Sequence, residues 1–398
     1  MSHLPPAARN IALLSLCQGL LLTHGVSMVA VTGLAGRAMA PDAGLATLPL
    51  TAYVVGGAVS TLPAAFFMRR FGRRAGFSLG ALLGCAGALL CALAVAQAAF
   101  LLLCAGAAIC GAYTAVGQQY RFAAADVAEP TAKSRAISFT LAGGILGGVF
   151  GPWASTHTRH LMEPAYLGTY LSLAVVALLA LVLISRLDIP PLSLDQRSHR
   201  GRPLAEIACQ PAYLLAVLAA ATGYGVMNLL MTATPLAMDI CTHSYADTAL
   251  VLEWHVIGMF APSFFTGSLI KRWGVLSVIG LGTVLVTACI GIALAGVSVM
   301  HFWWALFLLG VGWNFMFIGG TTLLTETYAP EEKAKAQGSN DFIVFAVQGL
   351  TSLSSGLLIS RQGWEALNAF ALPAIAFTAA ATAAYAWRQR ARLLPESR

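Results

Sequence analysis

The chain has 398 residues, of which 58% are apolar and only 10% charged, with a formal net charge of +7 and a mean hydropathy of +0.77. Soluble domains carry about 25% charged residues, so this composition excludes a water-soluble enzyme or receptor domain as the bulk of the chain. The positive balance is explained by contact with an anionic membrane surface, and nucleic-acid binding has no support.

Apolar stretches recur along the whole chain, each near the length of about 20 residues that a helix needs to cross a hydrocarbon core of about 30 Å. The first, residues 10 to 36, starts directly after Arg9. It is too long for a cleaved secretion signal and a second stretch, 46 to 68, follows at once, so both read as retained spanning helices. Next comes the basic loop Arg69-Arg70-Phe71-Gly72-Arg73-Arg74, then stretches at 75 to 97 and 99 to 124. The fourth is followed by Asp126, Pro130 and Lys133, and stretches at 134 to 158 and 164 to 186 complete a first set of six.

A polar connection, 187 to 210, carries Pro190-Pro191, Asp195, Arg197, His199, Arg200 and Arg202 and suits a flexible linker. Beyond it the order repeats. Stretches at 211 to 238 and 248 to 270 lead to a second basic loop, Lys271-Arg272-Trp273-Gly274. Stretches at 275 to 297 and 301 to 327 lead to Glu326, Pro330 and Lys333, each 200 positions after Asp126, Pro130 and Lys133. The last two stretches are 335 to 360 and 365 to 387.

The expected fold is therefore all-α: twelve transmembrane helices in two six-helix bundles, 1–186 and 211–398, joined by the cytoplasmic linker 187–210, as parallel repeats in a transporter would be. With the N-terminus inside, 19 of the 23 Lys and Arg residues lie on the cytoplasmic side, leaving Arg37, Arg159 and Arg361 outside and Arg121 at a helix end. That asymmetry predicts both termini cytoplasmic. The eight cysteines, Cys17, Cys85, Cys91, Cys104, Cys110, Cys209, Cys241 and Cys289, form no CxxC pair, so they read as small apolar packing residues without metal or disulfide chemistry. No zinc-helix, phosphate-loop or nucleophile motif is present, which argues against an enzyme and against any bound cofactor.

The two halves, the central loop and the basic element after the second stretch make the chain resemble a Major Facilitator Superfamily transporter over essentially its full length. In that element Ala65 stands for the family's glycine and Arg69 for its acid; in the second half Gly267 is kept, and Lys271 takes the acid's place. The resemblance implies a cytoplasmic latch formed by Arg69, Arg70, Gly72, Arg73, Arg74, Asp126, Lys271, Arg272 and Gly274, with Arg70 pairing Asp126 or Glu129. The alternative is that the basic residues only anchor the loop to lipid. Recurrence of Gly72 and Gly274 at one offset favours a tight turn.

The stretches Trp254 to Gly267, Gly310 to Phe315, Tyr120 to Ala124 and Gly338 to Asp341 look like a bacterial branch of the superfamily that includes riboflavin transporters. This resemblance implies a secondary transporter of a flavin-like or other aromatic solute in the bacterial inner membrane, acting as a monomer with a small-molecule substrate, the bilayer and protons as its partners. A drug, siderophore or metabolite exporter working by proton antiport is the alternative, and a non-transporting sensor the distant one.

In the superfamily the first, fourth, seventh and tenth helices line the substrate cavity. Their midpoints here carry His24, Tyr113 with Gln118, Asn228, and Trp313 with Asn314. Imidazole, phenol and amide groups donate and accept hydrogen bonds, and Trp313 offers a flat face to a ring. For each amide an interhelical hydrogen bond is the competing role.

The candidates for a titrating group at membrane depth are His24, Glu253, His255 and Asp341. Glu253 and His255 point about 200° apart on one helix and cannot form a dyad. Glu253 and Asp341 rank first for proton coupling, and His255 is expected to make a structural hydrogen bond. Asp341 heads a polar stripe with Gln348, Ser352 and Ser355, read as a seam against the second helix at Gly56, Gly57 and Ser60, with Asp341 a gate residue paired to Arg70 or Arg121. Gly143, Gly147 and Gly151, followed by Pro152, predict a close helix–helix contact along the fifth span and match part of the superfamily's antiporter signature.

Overall fold

The computed structural model describes residues 5–42, 45–190 and 201–393. Among them the regular structure is helical, as it must be where no water is available to satisfy a backbone outside a helix. The helices are α1 (Pro6–Met39), α2 (Leu48–Phe71), α3 (Arg73–Ala96), α4 (Phe100–Gly117), α5 (Tyr120–Val127), α6 (Lys133–Ala142), α7 (Gly144–Thr158), α8 (Leu167–Ile184), α9 (Leu204–Ala208), α10 (Pro211–Ile240), α11 (Tyr245–Phe260), α12 (Ser263–Trp273), α13 (Val275–Ala295), α14 (Val299–Leu324) and α15 (Lys333–Leu393).

Ten described helical segments are long and apolar enough to cross a membrane, with α4 and α5 counted as one and α6 and α7 as one, and α11 with α12 forms a further one bent by 42°. The bend lies at Ala261 and Pro262, where a proline interrupts the helical ladder. Two predicted stretches, 335 to 360 and 365 to 387, are the arms of α15, which breaks at Gly363 with φ 82°. Three stretches expected to be continuous are interrupted. The fourth breaks at Gln118 and Gln119, the fifth at Gly143, and the eighth at Ala261–Pro262. The eighth begins at a capping box, in which the Ser244 hydroxyl accepts from the Asp247 N–H and the Asp247 carboxylate accepts from the Ser244 N–H. Of the predicted linker, residues 191–200 lie outside the described residues; α9 occupies part of the remainder.

The chain forms two compact units: Met1–Pro130 with Phe139–Gly201 and Ala329–Phe345, and Thr131–Ser138 with Arg202–Tyr328 and Ala346–Arg398. Each unit thus takes a short helical segment from the other half of the sequence. In the first, α1 packs on α7 and α8, α2 on α4, and α3 on both α4 and α8. The α1–α7 seam is tight because a side chain at Gly143 would meet the Ser15 carbonyl and one at Gly147 would meet Leu22. Hydroxyls reinforce it: Ser15 donates to the Phe139 carbonyl at 2.9 Å and Ser27 to that of Gly151 at 2.8 Å. Cys91 and Cys110 lie in a buried cluster with Met28, Tyr53 and Tyr170, and all eight cysteines are free thiols.

In the second unit α14 is central, packed by α10, α11 and α13. The 131–138 segment grips α12 in this unit. Ser134 donates to the Gly267 carbonyl at 3.0 Å and Ser138 accepts from the Gly267 N–H at 2.9 Å. A side chain at position 267 would collide with the backbone of Ser134 and Arg135, so the closeness of this contact requires glycine.

Candidate functional site

Two polar or aromatic centres stand out, one in each unit. The first gathers on the 329–345 segment, the junction of α4 with α5, α5 itself and the start of α3. Asp341 and Arg121 form an ion pair whose side chains are 2% and 1% exposed. The carboxylate also accepts from Gln119 Nε2 at 2.7 Å and from Asn340 Nδ2 at 3.0 Å, while Arg121 donates to the side-chain and backbone oxygens of Gln118. Burying two charges is costly unless every remaining lone pair and proton finds a partner, and this carboxylate has three donors.

A second, less deeply buried cluster adjoins the first. Arg73 contacts Asp126 at 3.1 Å, Lys333 contacts the other oxygen of Asp126 at 2.7 Å, and Arg73 donates to Gln119 at 2.9 Å and Gln337 at 2.7 Å. These groups line a cavity of about 640 Å³, together with Asn10, Met68 and Asp188. The repeat is visible in the pairing, because Asp126 meets Lys333 while Glu326 faces Lys133 in the second unit. There partial desolvation raises the Glu326 carboxyl above its ordinary value and the neighbouring Lys133 opposes the rise.

The expected partner of Asp126 is therefore corrected. Arg70 is exposed, with its guanidinium 5.3 Å from the Phe71 ring, and Arg73, three residues on and beyond the turn at Gly72, reaches the acid from the first position of α3. Gly72 and Gly274 share one role: they end α2 and α12 with φ 90° and 85° and lead directly into the following helix. That backbone region strains any residue with a Cβ. Arg74, Lys271 and Arg272 are exposed, and Arg69 is half-buried at the cavity edge.

The second centre is aromatic. Trp313 stacks on Phe317 with ring centres 5.1 Å apart, and Tyr224 and Phe260 meet it edge-on at 5.4 and 5.7 Å. Trp313 is 2% exposed, and its indole N–H is buried without an acceptor among the described residues. An unpaired donor inside an aromatic cluster is a costly arrangement that a ligand acceptor would relieve.

Other expected cavity residues lie elsewhere. His24 and Tyr113 are fully buried within the first unit, edge-on to each other at 5.2 Å, and the Tyr113 ring abuts Gly84 of α3. They fill the seam of α1, α3 and α4, which their sequence position on lining helices did not reveal. Gln118 serves Arg121. Asn228 donates to the Gln348 carbonyl at 3.0 Å and to Thr351 at 3.2 Å. Asn314 donates to the Met259 carbonyl and Ser263 and accepts from Thr266, all within 2.7 Å. Both amides tie helices together through these bonds.

Among the coupling candidates Glu253 is exposed on α11, and His255 is buried with Nδ1 2.7 Å from the Leu306 carbonyl. The polar stripe is divided: Ser355 donates to the Leu229 carbonyl, Ser352 is exposed, Gly57 abuts Phe345, and Gly56 abuts Ala108 of α4. Sequence reasoning missed Gln119, Gln337, Tyr224 and Phe317. The Gln118-Gln119 pair beside Arg121 at the end of an apolar stretch was the one available signal.

The sequence profile described as Major Facilitator Superfamily matches residues 14–338 and, again, 215–397. The riboflavin transporter RfnT of Brucella anthropi is 42% identical over 379 residues, covering 94% of this chain and 95% of that protein. The fucose:proton symporter FucP of E. coli superposes with a TM-score of 0.76 at 17% identity over 95% of this chain and 99% of that one. The human organic anion transporter MFSD10 gives 0.76 at 12% identity over 95% and 100%.

Proposed function

The chain belongs to the Major Facilitator Superfamily, and from that premise we propose that it carries a flavin-like aromatic solute across the bacterial inner membrane, coupled to protons, by alternating access. It is a membrane transporter and not an enzyme. The observation that carries the substrate reading is the Trp313 cluster. Trp313, Phe317 and Tyr224 present large aromatic surface around one unsatisfied indole N–H, and a flavin ring system offers both a face to stack and carbonyl or imine acceptors for that proton. The 42% identity to a riboflavin transporter supports the same class.

Asp341 is the proton-coupling group in this reading, and Arg121 its gate partner. A neutral Asp341 leaves the buried Arg121 guanidinium without its counter-charge, so protonation in this reading goes with a rearrangement that gives Arg121 another partner or solvent. Both termini are cytoplasmic and the functional unit is a monomer. Purified protein in liposomes tests the proposal. Riboflavin counterflow by the parent, accumulation on an imposed pH gradient, and weakened uptake by Trp313→Ala are expected. Absence of counterflow with riboflavin, while another aromatic solute exchanges, would move the substrate and leave the transporter class intact.

A further inference from the structure

The side chain of Gln119 links the two ion pairs of the first unit. Gln119 is fully buried, its carbonyl oxygen accepts from Arg73 at 2.9 Å, and its amide donates to Asp341 at 2.7 Å. The resulting chain runs from Lys333 and Asp126, 25% and 17% exposed, through Arg73, 12% exposed, to Asp341 and Arg121, which are almost completely buried. A terminal amide is suited to this place because it accepts from a cation on one side while donating to an anion on the other. Rotating the amide by half a turn would set its NH₂ against the guanidinium and its oxygen against the carboxylate, so both contacts hold or fail together.

We infer that Gln119 is a positioning residue that couples the loop pair Arg73–Asp126–Lys333 to the buried pair Arg121–Asp341, so that a change in the charge of Asp341 alters the hold of the loop. Protonated Asp341 draws the Gln119 amide less strongly, because a neutral carboxyl is a weaker acceptor than a carboxylate, and the amide then orients its oxygen less firmly towards Arg73. The inference rests on the reading of Asp341 as the coupling group. The charged and polar side chains of the network that Gln119 joins are Asp341 with its partners Arg121 and Asn340, and Gln118 beyond Arg121, on the buried side, and Arg73 with its partners Asp126 and Gln337, and Lys333 beyond Asp126, on the exposed side.

Arg73 and Asp341 have no direct hydrogen bond, which makes a mutant cycle decisive. Initial riboflavin uptake and melting midpoint are measured for the parent, Arg73→Lys, Asp341→Asn and the double variant, then for the same set carrying Gln119→Met. In the parent background the double variant is expected to retain at least about threefold more uptake than the product of the single losses. With Gln119→Met the losses should multiply. Losses that multiply in the parent, or coupling that survives Gln119→Met, overturn the inference. A parent that does not carry riboflavin defeats the substrate proposal alone, and the melting cycle then decides the linkage by the same criterion.

Gln119→Glu provides the second variant. Its carboxylate can accept from Arg73 but faces Asp341, so it needs a shared proton, and uptake should recover several-fold at acidic pH relative to Gln119→Met. A pH profile for Gln119→Glu that matches Gln119→Met also overturns the inference.

Discussion

Removing one member of the buried ion pair is the sharpest perturbation the structure offers. Asp341→Asn keeps the side-chain shape but leaves the Arg121 guanidinium, 1% exposed, without its counter-charge. Breaking a buried pair from one side costs about 3–5 kcal/mol, because the remaining charge stays desolvated. At about 1.4 kcal/mol per factor of ten, this is roughly two to three and a half decades in the equilibrium between states that keep the pair and states that do not. Apolar replacement of both members, Arg121→Met with Asp341→Leu, removes both charges and is expected to cost far less than either single change, since such replacements are often neutral or stabilising. The assay is the melting midpoint of detergent-solubilised protein, followed by tryptophan fluorescence. Both single variants should melt clearly below the parent, and the double variant should recover more than half of the loss. A double variant that loses the sum of the single effects would refute the reasoning, because the two charges would then contribute independently.

Trp313→Ala should raise the KM for riboflavin about two- to tenfold, from a stacking contribution of about 0.5–1.5 kcal/mol beyond simple burial, and Trp313→Phe should keep most of the affinity; concentration-dependent uptake measures both. Arg73→Ala should slow uptake strongly at matched protein level while Arg70→Ala stays near the parent, since Arg73 holds Asp126, Gln119 and Gln337. Gly143→Leu should reduce the yield of folded monomer in size-exclusion chromatography, because its side chain would enter the Ser15 backbone. Asp341→Asn should abolish accumulation on an imposed pH gradient while leaving counterflow, and Glu253→Gln should leave both intact, because Glu253 is exposed and Asp341 is enclosed by donors.

The membrane fold and its internal duplication were legible in residue order alone, because a bilayer accepts a narrow range of segment lengths and polarities. The period of 200 between Asp126 and Glu326 and the matching glycines at 72 and 274 carried the repeat. The amides illustrate what was not legible. Asn228 and Asn314 sit at the middle of spans, where either a solute or a neighbouring helix could take their hydrogen bonds, and only the facing carbonyls of Gln348 and Met259 decide between these roles. His24 failed in the same way, since a helix that lines a path also has a back, and its rotation sets which residues occupy it.

By itself, then, the sequence determined the class of molecule, the positions of its spans and the turns that need glycine, all of which depend on composition and on local backbone geometry. The tertiary structure alone decided that Arg73 rather than Arg70 meets Asp126, that Arg121 rather than Arg70 meets Asp341, and that Gln119 lies between them. These pairings join residues up to 222 positions apart. Their partners are selected by helix rotation and by how closely small residues let backbones approach, and neither quantity is written in any one segment of the chain.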